Sequence, residues 1–108
     1  MRVLVVWEPI LATDWREPSA SILRRIPDRR ARQFWDPNHV VAKELGQIAK
    51  QKPGWVEPDC CLKKGFNWDE AILYAPHSRW NDEPEPLFWN GPVYRITASL
   101  DKALSEQP

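Results

Sequence analysis

Eleven prolines in 108 residues constrain this chain more than any other feature of its sequence. A proline fixes its own φ, donates no backbone hydrogen bond and ends or kinks a helix. We therefore expect short helices and strands separated by irregular, proline-rich segments. A chain of this length buries roughly two thirds of its unfolded surface and has room for one hydrophobic core. The sequence thus predicts a single domain over residues 1–108.

The charge balance and the lack of a long apolar run exclude two broad classes of protein. Fifteen basic and fifteen acidic residues give a formal net charge of zero, without the positive field of a general nucleic-acid-binding protein. No apolar run approaches the roughly eighteen residues that a membrane-spanning helix needs. We expect neither nucleic acid as a partner nor a membrane span. The start at Met1-Arg2 shows no signal peptide, which fits a cytoplasmic protein and equally an exported one whose leader has been removed.

The first half of the chain predicts two strands and a helix. Residues 3–7 form a continuous apolar run, which is typical of a central strand covered on both faces. Asp14 and Glu17 have capping-box spacing, so a first helix is expected there, and Pro27 ends it. Residues 32–35 fit a second, short strand or an extended link.

In the second half of the chain, prolines and glycines mark the ends of the predicted helices and strands. Asp36 before Pro37 is typical of a helix N-terminus, and Asn90-Gly91 is typical of a tight hairpin turn. Ser99 is expected to cap a short last helix. The predicted elements are a second helix over 37–51 with Val41, Leu45 and Ile48 on its buried face, a buried strand over 68–75, hairpin strands at 87–89 and 93–96, and a last helix to about 106.

The predicted order β-α-β-α-β-β-α indicates an α/β domain with a mixed sheet and helices on both faces. The thioredoxin fold has this order. The run Val5-Val6-Trp7-Glu8-Pro9, followed by a loop and a helix, resembles the strand, tryptophan and active-site turn of thioredoxin-like proteins. The chain is also similar to small bacterial thioredoxin-like proteins that share a Val-Trp-Glu-Pro start, a Phe-Trp-Asp segment and a Trp-Asp strand. The resemblance implies a thioredoxin-like fold and no particular activity.

The turn after the first strand lacks the residues of thioredoxin-type redox chemistry. That chemistry needs a thiolate at the N-terminus of the following helix and a resolving cysteine three residues on, whereas residues 7–14 contain no cysteine. The carboxylates Glu8 and Asp14 in this turn are candidates for a polar or cation-binding site, and their alternative role is to cap the helix. No cofactor is predicted.

The two cysteines of the chain are adjacent, at Cys60 and Cys61. Adjacent cysteines pair only through an eight-membered ring, which departs from preferred disulfide geometry and is easily reduced, or they bind a soft metal together. Incidental burial as small apolar side chains is the other alternative. His39 and His77 stand at no recognised metal or catalytic spacing, and His39 is expected to be exposed. No catalytic residue and no metal site are predicted.

Four of the seven tryptophans are the candidate binding residues. Trp35, Trp55, Trp80 and Trp89 fall at element ends or in loops near prolines, where indoles often line grooves for peptides or partner proteins. Their alternative role is to cover the irregular segments as small local cores. The sequence therefore predicts a binding module for a protein or peptide partner, not an enzyme. The alternatives are a thiol-dependent redox protein or soft-metal binder at the adjacent cysteines, and a homodimer through an edge strand or the Trp89 hairpin.

Overall fold

The computed structural model describes residues 1–11, 16–58, 60–63 and 66–107. Over these residues the chain is an α/β protein with small sheets and three α-helices. None of the helices in this part of the chain is long and apolar enough to cross a membrane. The chain divides into two compact units, Met1–Val41 and Ala42–Pro108. One domain over residues 1–108 stays a prediction.

The first unit is built on a parallel pair of strands. The strands β1 (Val3–Trp7) and β2 (Ala31–Trp35) pair in register from their first residue to their last. Both strands are predicted by the sequence, and both are confirmed. The burial predicted for β1 is wrong for one face, because Leu4 is 64% exposed and Val6 is 37% exposed. The other face is partly covered at every second residue, as the two-residue period of a strand requires.

The helix α1 (Ala20–Leu23) lies between these strands in the chain. Its N-cap is Ser19, whose hydroxyl accepts a hydrogen bond from a backbone N–H of the first turn. Asp14 lies outside the described residues, but residues 16–19 are not helical and α1 ends before Pro27, so the helix is shorter than predicted at both ends. Gln33 of β2 connects the helix to the sheet, because its amide donates to the last carbonyl of α1 at 2.8 Å and its oxygen accepts from the Trp7 indole at 2.8 Å.

The helix α2 (Val40–Gln51) ends where the sequence predicts and begins at Val40, not at Pro37. Asp36, predicted as the N-cap, is separated from the helix by three residues, yet its two carboxylate oxygens accept from the backbone N–H groups of the first two helical residues at 3.0 and 2.9 Å. The predicted buried face is confirmed at Leu45 and Ile48. Asp36 therefore fixes the start of a helix whose apolar face is buried.

The second unit contains two antiparallel pairs of strands. The strand β3 (Leu62–Lys63) pairs with β4 (Phe66–Asn67), and β5 (Ala71–Leu73) pairs with β6 (Phe88–Asn90). The buried strand predicted over residues 68–75 is therefore shorter at both ends and only partly buried. The described strands form three two-stranded sheets, and among them no single mixed sheet is present.

The last helix corrects the predicted hairpin. The helix α3 (Val93–Ser105) includes residues 93–96, which the sequence predicts as a strand, and starts well before Ser99. Pro92 is its N-cap, before the helix interior in which a proline would remove a hydrogen bond. A helical apolar stripe then outweighs the local preference of β-branched residues for strands. This stripe consists of Ile96, Leu100, Ala103 and Leu104.

Candidate functional site

Two segments of the second unit enclose a groove with a volume of about 240 Å³. One segment follows α2 and the other leads into β6. We call this cavity the tryptophan groove. It is lined by Gly54, Trp55, Val56, Glu85, Pro86, Leu87, Phe88 and Trp89.

The two tryptophans of the groove are positioned by different elements. Gly54 has a φ of 97°, a left-handed conformation that glycine adopts without a Cβ clash, and it turns the chain after α2 so that Trp55 follows. Trp89 lies in β6 opposite Ile72 of β5. Its indole N–H donates to a carboxylate oxygen of Glu70, which fixes the ring against the sheet.

The rim of the tryptophan groove is exposed and negatively charged. Val56 is 82% exposed and Leu87 is 51% exposed, so apolar surface is open to solvent on both segments. Glu85 is exposed and is the charged residue among those that line the groove. Close to it in the chain, Glu83 pairs with Lys52 at 3.3 Å through half-exposed side chains. The groove is thus lined by two tryptophans and other apolar side chains together with polar groups, and it is acidic at its edge.

The structure brings together two of the four tryptophans that the sequence singles out. Trp55 and Trp89 line the same groove. Trp80 begins a short 3₁₀ helix and borders a much smaller cavity of about 10 Å³, beside Trp55 and Leu45. Trp35 ends β2 in the first unit. Trp80 therefore lies beside the buried face of α2 but remains 43% exposed.

A second polar arrangement lies in the first unit, where the parallel strands end. Glu8 follows β1 directly, and Asp36 follows β2 and donates its backbone N–H to the carbonyl of Trp7 at 2.8 Å. His39 Nδ1 lies 3.2 Å from Glu8 Oε2, and the two side chains are 15% and 11% exposed. Glu8 is therefore paired with an imidazole and does not cap α1. Asp14, the other carboxylate predicted for this site, lies outside the described residues.

The position of His39 differs from the prediction that it is exposed. His39 has a φ of 56° and precedes the first residue of α2, so it does not follow the helical phase from which exposure is predicted. Burial raises the pKa of the Glu8 carboxyl above its ordinary value, against the lowering effect of His39, while the Asp36 charge adds to the rise. The sequence signal that could have located this site is that Glu8 and Asp36 each directly follow a predicted strand. If the two strands are parallel neighbours, their C-terminal ends meet at one edge of the sheet and bring the following residues together.

The adjacent cysteines are joined to each other. Cys60 and Cys61 form a disulfide, in which Cys60 is exposed and Cys61 is 2% exposed. The carbonyl of Cys61 accepts from the backbone N–H of Trp68 at 2.9 Å. Among the described residues, no group of three or more His, Cys, Asp or Glu side chains is arranged to hold a metal ion. Soft-metal binding at the cysteines stays a prediction.

The chain was compared with known families, curated proteins and solved structures. No protein-family model, curated protein or solved structure matches the chain.

Proposed function

We propose that this chain is a binding module whose tryptophan groove takes an extended peptide segment with an apolar side chain next to a lysine or arginine. The observation that carries the proposal is that Trp55 and Trp89, from two separate segments, line one cavity with Glu85 at its edge. Aromatic and proline-lined grooves are typical sites for extended, proline-containing peptides.

The size of the groove favours a peptide side chain over a whole small molecule. Ligand pockets for small molecules usually have volumes of about 300–1,000 Å³, and this cavity has about 240 Å³. A volume of this size takes a short part of an extended peptide, while the rest of the peptide lies along the exposed rim. The exposed surface of Val56 and Leu87 supplies apolar contacts there.

The charge around the groove favours a basic residue in the peptide. Glu85 is negatively charged and exposed at the rim, and the chain as a whole has no net charge that would attract or repel a partner at long range. Local complementarity then decides which peptide binds, and it is expected to act on specificity more than on affinity.

A thioredoxin-like arrangement is part of the proposal. Its support is the order of elements, with a parallel β1–β2 pair around α1 in the first unit, and an antiparallel β5–β6 pair followed by α3 in the second. The turn after β1 holds Glu8 in place of a thiol, so we propose binding and not dithiol catalysis for this chain.

The test is an NMR titration with two capped probe peptides, Pro-Leu-Pro-Pro-Arg and the same peptide with Glu in place of Arg. The tryptophan indoles are labelled with ¹⁵N and assigned with Trp55→Phe and Trp89→Phe variants. We expect the Arg peptide to shift the indole signals of Trp55 and Trp89 and to leave Trp7 unchanged. The Glu peptide is expected to bind about fivefold more weakly, the upper range for an exposed ion pair.

A pair of variants checks the role of charge. Glu85→Lys is expected to reverse the preference between the peptides, because it inverts the charge at the rim. Glu44→Lys makes the same change on the exposed side of α2, outside the groove lining, and is expected to keep the preference. Unchanged Trp55 and Trp89 signals with both peptides would overturn the proposal.

A further inference from the structure

The vicinal disulfide lies against the strand that supplies one wall of the tryptophan groove. A Cβ built on Gly91 would lie 3.0 Å from Cys61 Sγ and 2.6 Å from the carbonyl oxygen of Asp69. Gly91 is buried and directly follows β6, which carries Trp89. The sulfur of Cys61 therefore packs against the backbone two residues beyond the groove tryptophan.

A second connection joins the same two regions. Glu70 accepts the indole N–H of Trp89, and its Cγ lies 3.1 Å from the Cβ position built on Gly91. Asp69 accepts the backbone N–H of Val93, the first residue of α3, at 3.2 Å. Cys61, Gly91 and the carboxylate that fixes Trp89 thus form one contiguous packing group.

The two cysteine residues differ in their exposure to solvent. Cys60 is exposed, whereas Cys61 is 2% exposed. Attack on a disulfide requires access to the sulfur that is attacked, so an external thiolate reaches the Cys60 side, and Cys61 is the leaving sulfur.

We propose that Cys60 and Cys61 are a thiol–disulfide exchange site for a dithiol reductant, and that their redox state sets the affinity of the tryptophan groove. A thiolate of the dithiol attacks Cys60 Sγ, the Cys60–Cys61 bond breaks, and Cys61 leaves as a thiolate that takes up a proton. The second thiol of the reductant then attacks the reductant's first sulfur in the mixed disulfide, and Cys60 is released as a thiol. Two electrons pass to the protein, and the dithiol becomes a disulfide.

Reduction changes the packing because two thiol sulfurs cannot remain at bonding distance. The buried Cys61 side chain or the turn that carries it has to move, and Gly91 is the backbone it touches. In the disulfide form, by contrast, Cys61 stays packed against Gly91, and Trp89 is held in the position that binds the peptide. Part of this inference, the change in affinity, rests on the proposed peptide-binding function.

The test uses the intact chain in dithiothreitol buffers of increasing reducing strength. Free thiols are counted by alkylation and mass spectrometry, while ¹⁵N-indole spectra follow Trp89 and, as a control in the other unit, Trp7. We expect two thiols to appear together, the Trp89 signal to shift with them, and the Trp7 signal to stay. The Arg probe peptide is expected to bind the reduced form roughly two- to tenfold more weakly, the cost of ordering one further side chain.

A variant at the exposed position separates redox effects from effects of the reagent. Cys60→Ser leaves the buried Cys61 in place and cannot form the disulfide, so its Trp89 signal is expected to match the reduced form and to ignore dithiothreitol. The inference is overturned if no thiols appear, or if they appear while Trp89 stays unchanged. If neither form binds the peptide but the Trp89 shift follows the thiols, the proposed function fails and the exchange site stands.

Discussion

The pair formed by Glu8 and His39 places a carboxylate and an imidazole at the carboxyl ends of two parallel strands. Both side chains are largely buried, and the Asp36 carboxylate acts electrostatically on Glu8 from the segment that follows β2. Buried ionisable groups make stability depend on pH whenever folding changes their affinity for protons. The protonation of Glu8 is therefore a property that folding alters and that can be measured.

Replacing Glu8 with Gln tests this dependence. Because folding raises the pKa of Glu8 above its ordinary value of 4.5, the folded chain binds this proton more tightly than the unfolded chain. The stabilisation that protonated Glu8 gives to the folded chain is fully present below pH 4.5 and is lost as the pH rises through the raised pKa. We expect wild type to lose stability relative to Glu8→Gln as pH rises through this window, measured by urea unfolding at a series of pH values. A constant difference would contradict the raised pKa.

Two glycines of the second unit offer a matched pair of alanine substitutions. At Gly91 the new Cβ would lie 2.6 Å from the backbone carbonyl oxygen of Asp69, so Gly91→Ala should destabilise by about 1–3 kcal/mol through overpacking. At Gly46 inside α2 the nearest atoms lie 3.6 and 3.8 Å away, which is ordinary contact.

Gly46→Ala is therefore expected to stabilise by about 0.5–1 kcal/mol, through the lower entropy cost of alanine in a helix. Urea midpoints of the two variants measure both effects. If Gly91→Ala matched wild type in stability, the close packing of Gly91 against Cys61 and Asp69 would be wrong.

At the scale of single elements, α2 depends on one side chain at its start. Both carboxylate oxygens of Asp36 accept backbone N–H groups of the first turn. Asp36→Ala should therefore cost roughly 1–2 kcal/mol, the usual range for a lost N-cap, and Asp36→Asn should cost less because one acceptor remains. Thermal unfolding followed by circular dichroism compares the three proteins. Equal stability of Asp36→Ala and wild type would show that other groups cap this turn.

Elements whose signal is local are the ones that the sequence predicts correctly. The β1 run, the β2 run, the Asp36 cap and the end of α2 near Gln51 each depend on a few neighbouring residues. The hairpin at Asn90-Gly91 fails because the partner of β6 is β5, separated from it by a long connection. Which strand pairs with β6 depends on tertiary packing, and a dipeptide does not encode it.

The candidate site shows the same division between local and tertiary information. The sequence itself indicates that Trp55 and Trp89 are loop or edge indoles. Trp55 follows the glycine after α2, and Trp89 lies near prolines. Their convergence on one groove is not indicated by the sequence, because it requires the β5–β6 pairing to be known. The burial of His39 could not be predicted from the sequence for a related reason. Its left-handed φ places it outside the helix, so the helical pattern does not determine its exposure.

At the scale of the whole molecule, zero net charge gives the chain no overall attraction or repulsion toward a charged partner. A partner is then recognised by contact, and the residues that decide recognition are those that touch it. The acidic rim at Glu85 and the two tryptophans of the groove both act at short range, where screening by salt is weakest. Charge inversion at Glu85 is for this reason more informative than a change in the total charge of the chain.

The exposed face of β1 has a consequence for solubility. Val3–Trp7 is a five-residue run without charge or proline, and Leu4 and Val6 on its open face are exposed, so it has the composition of segments that stack into cross-β aggregates. Arg2 precedes this run, and Glu8 and Pro9 follow it. Charged residues and proline at the flanks of such runs act as gatekeepers against self-association. In the unfolded chain, before Glu8 is buried against His39, the same carboxylate therefore protects this run from self-association.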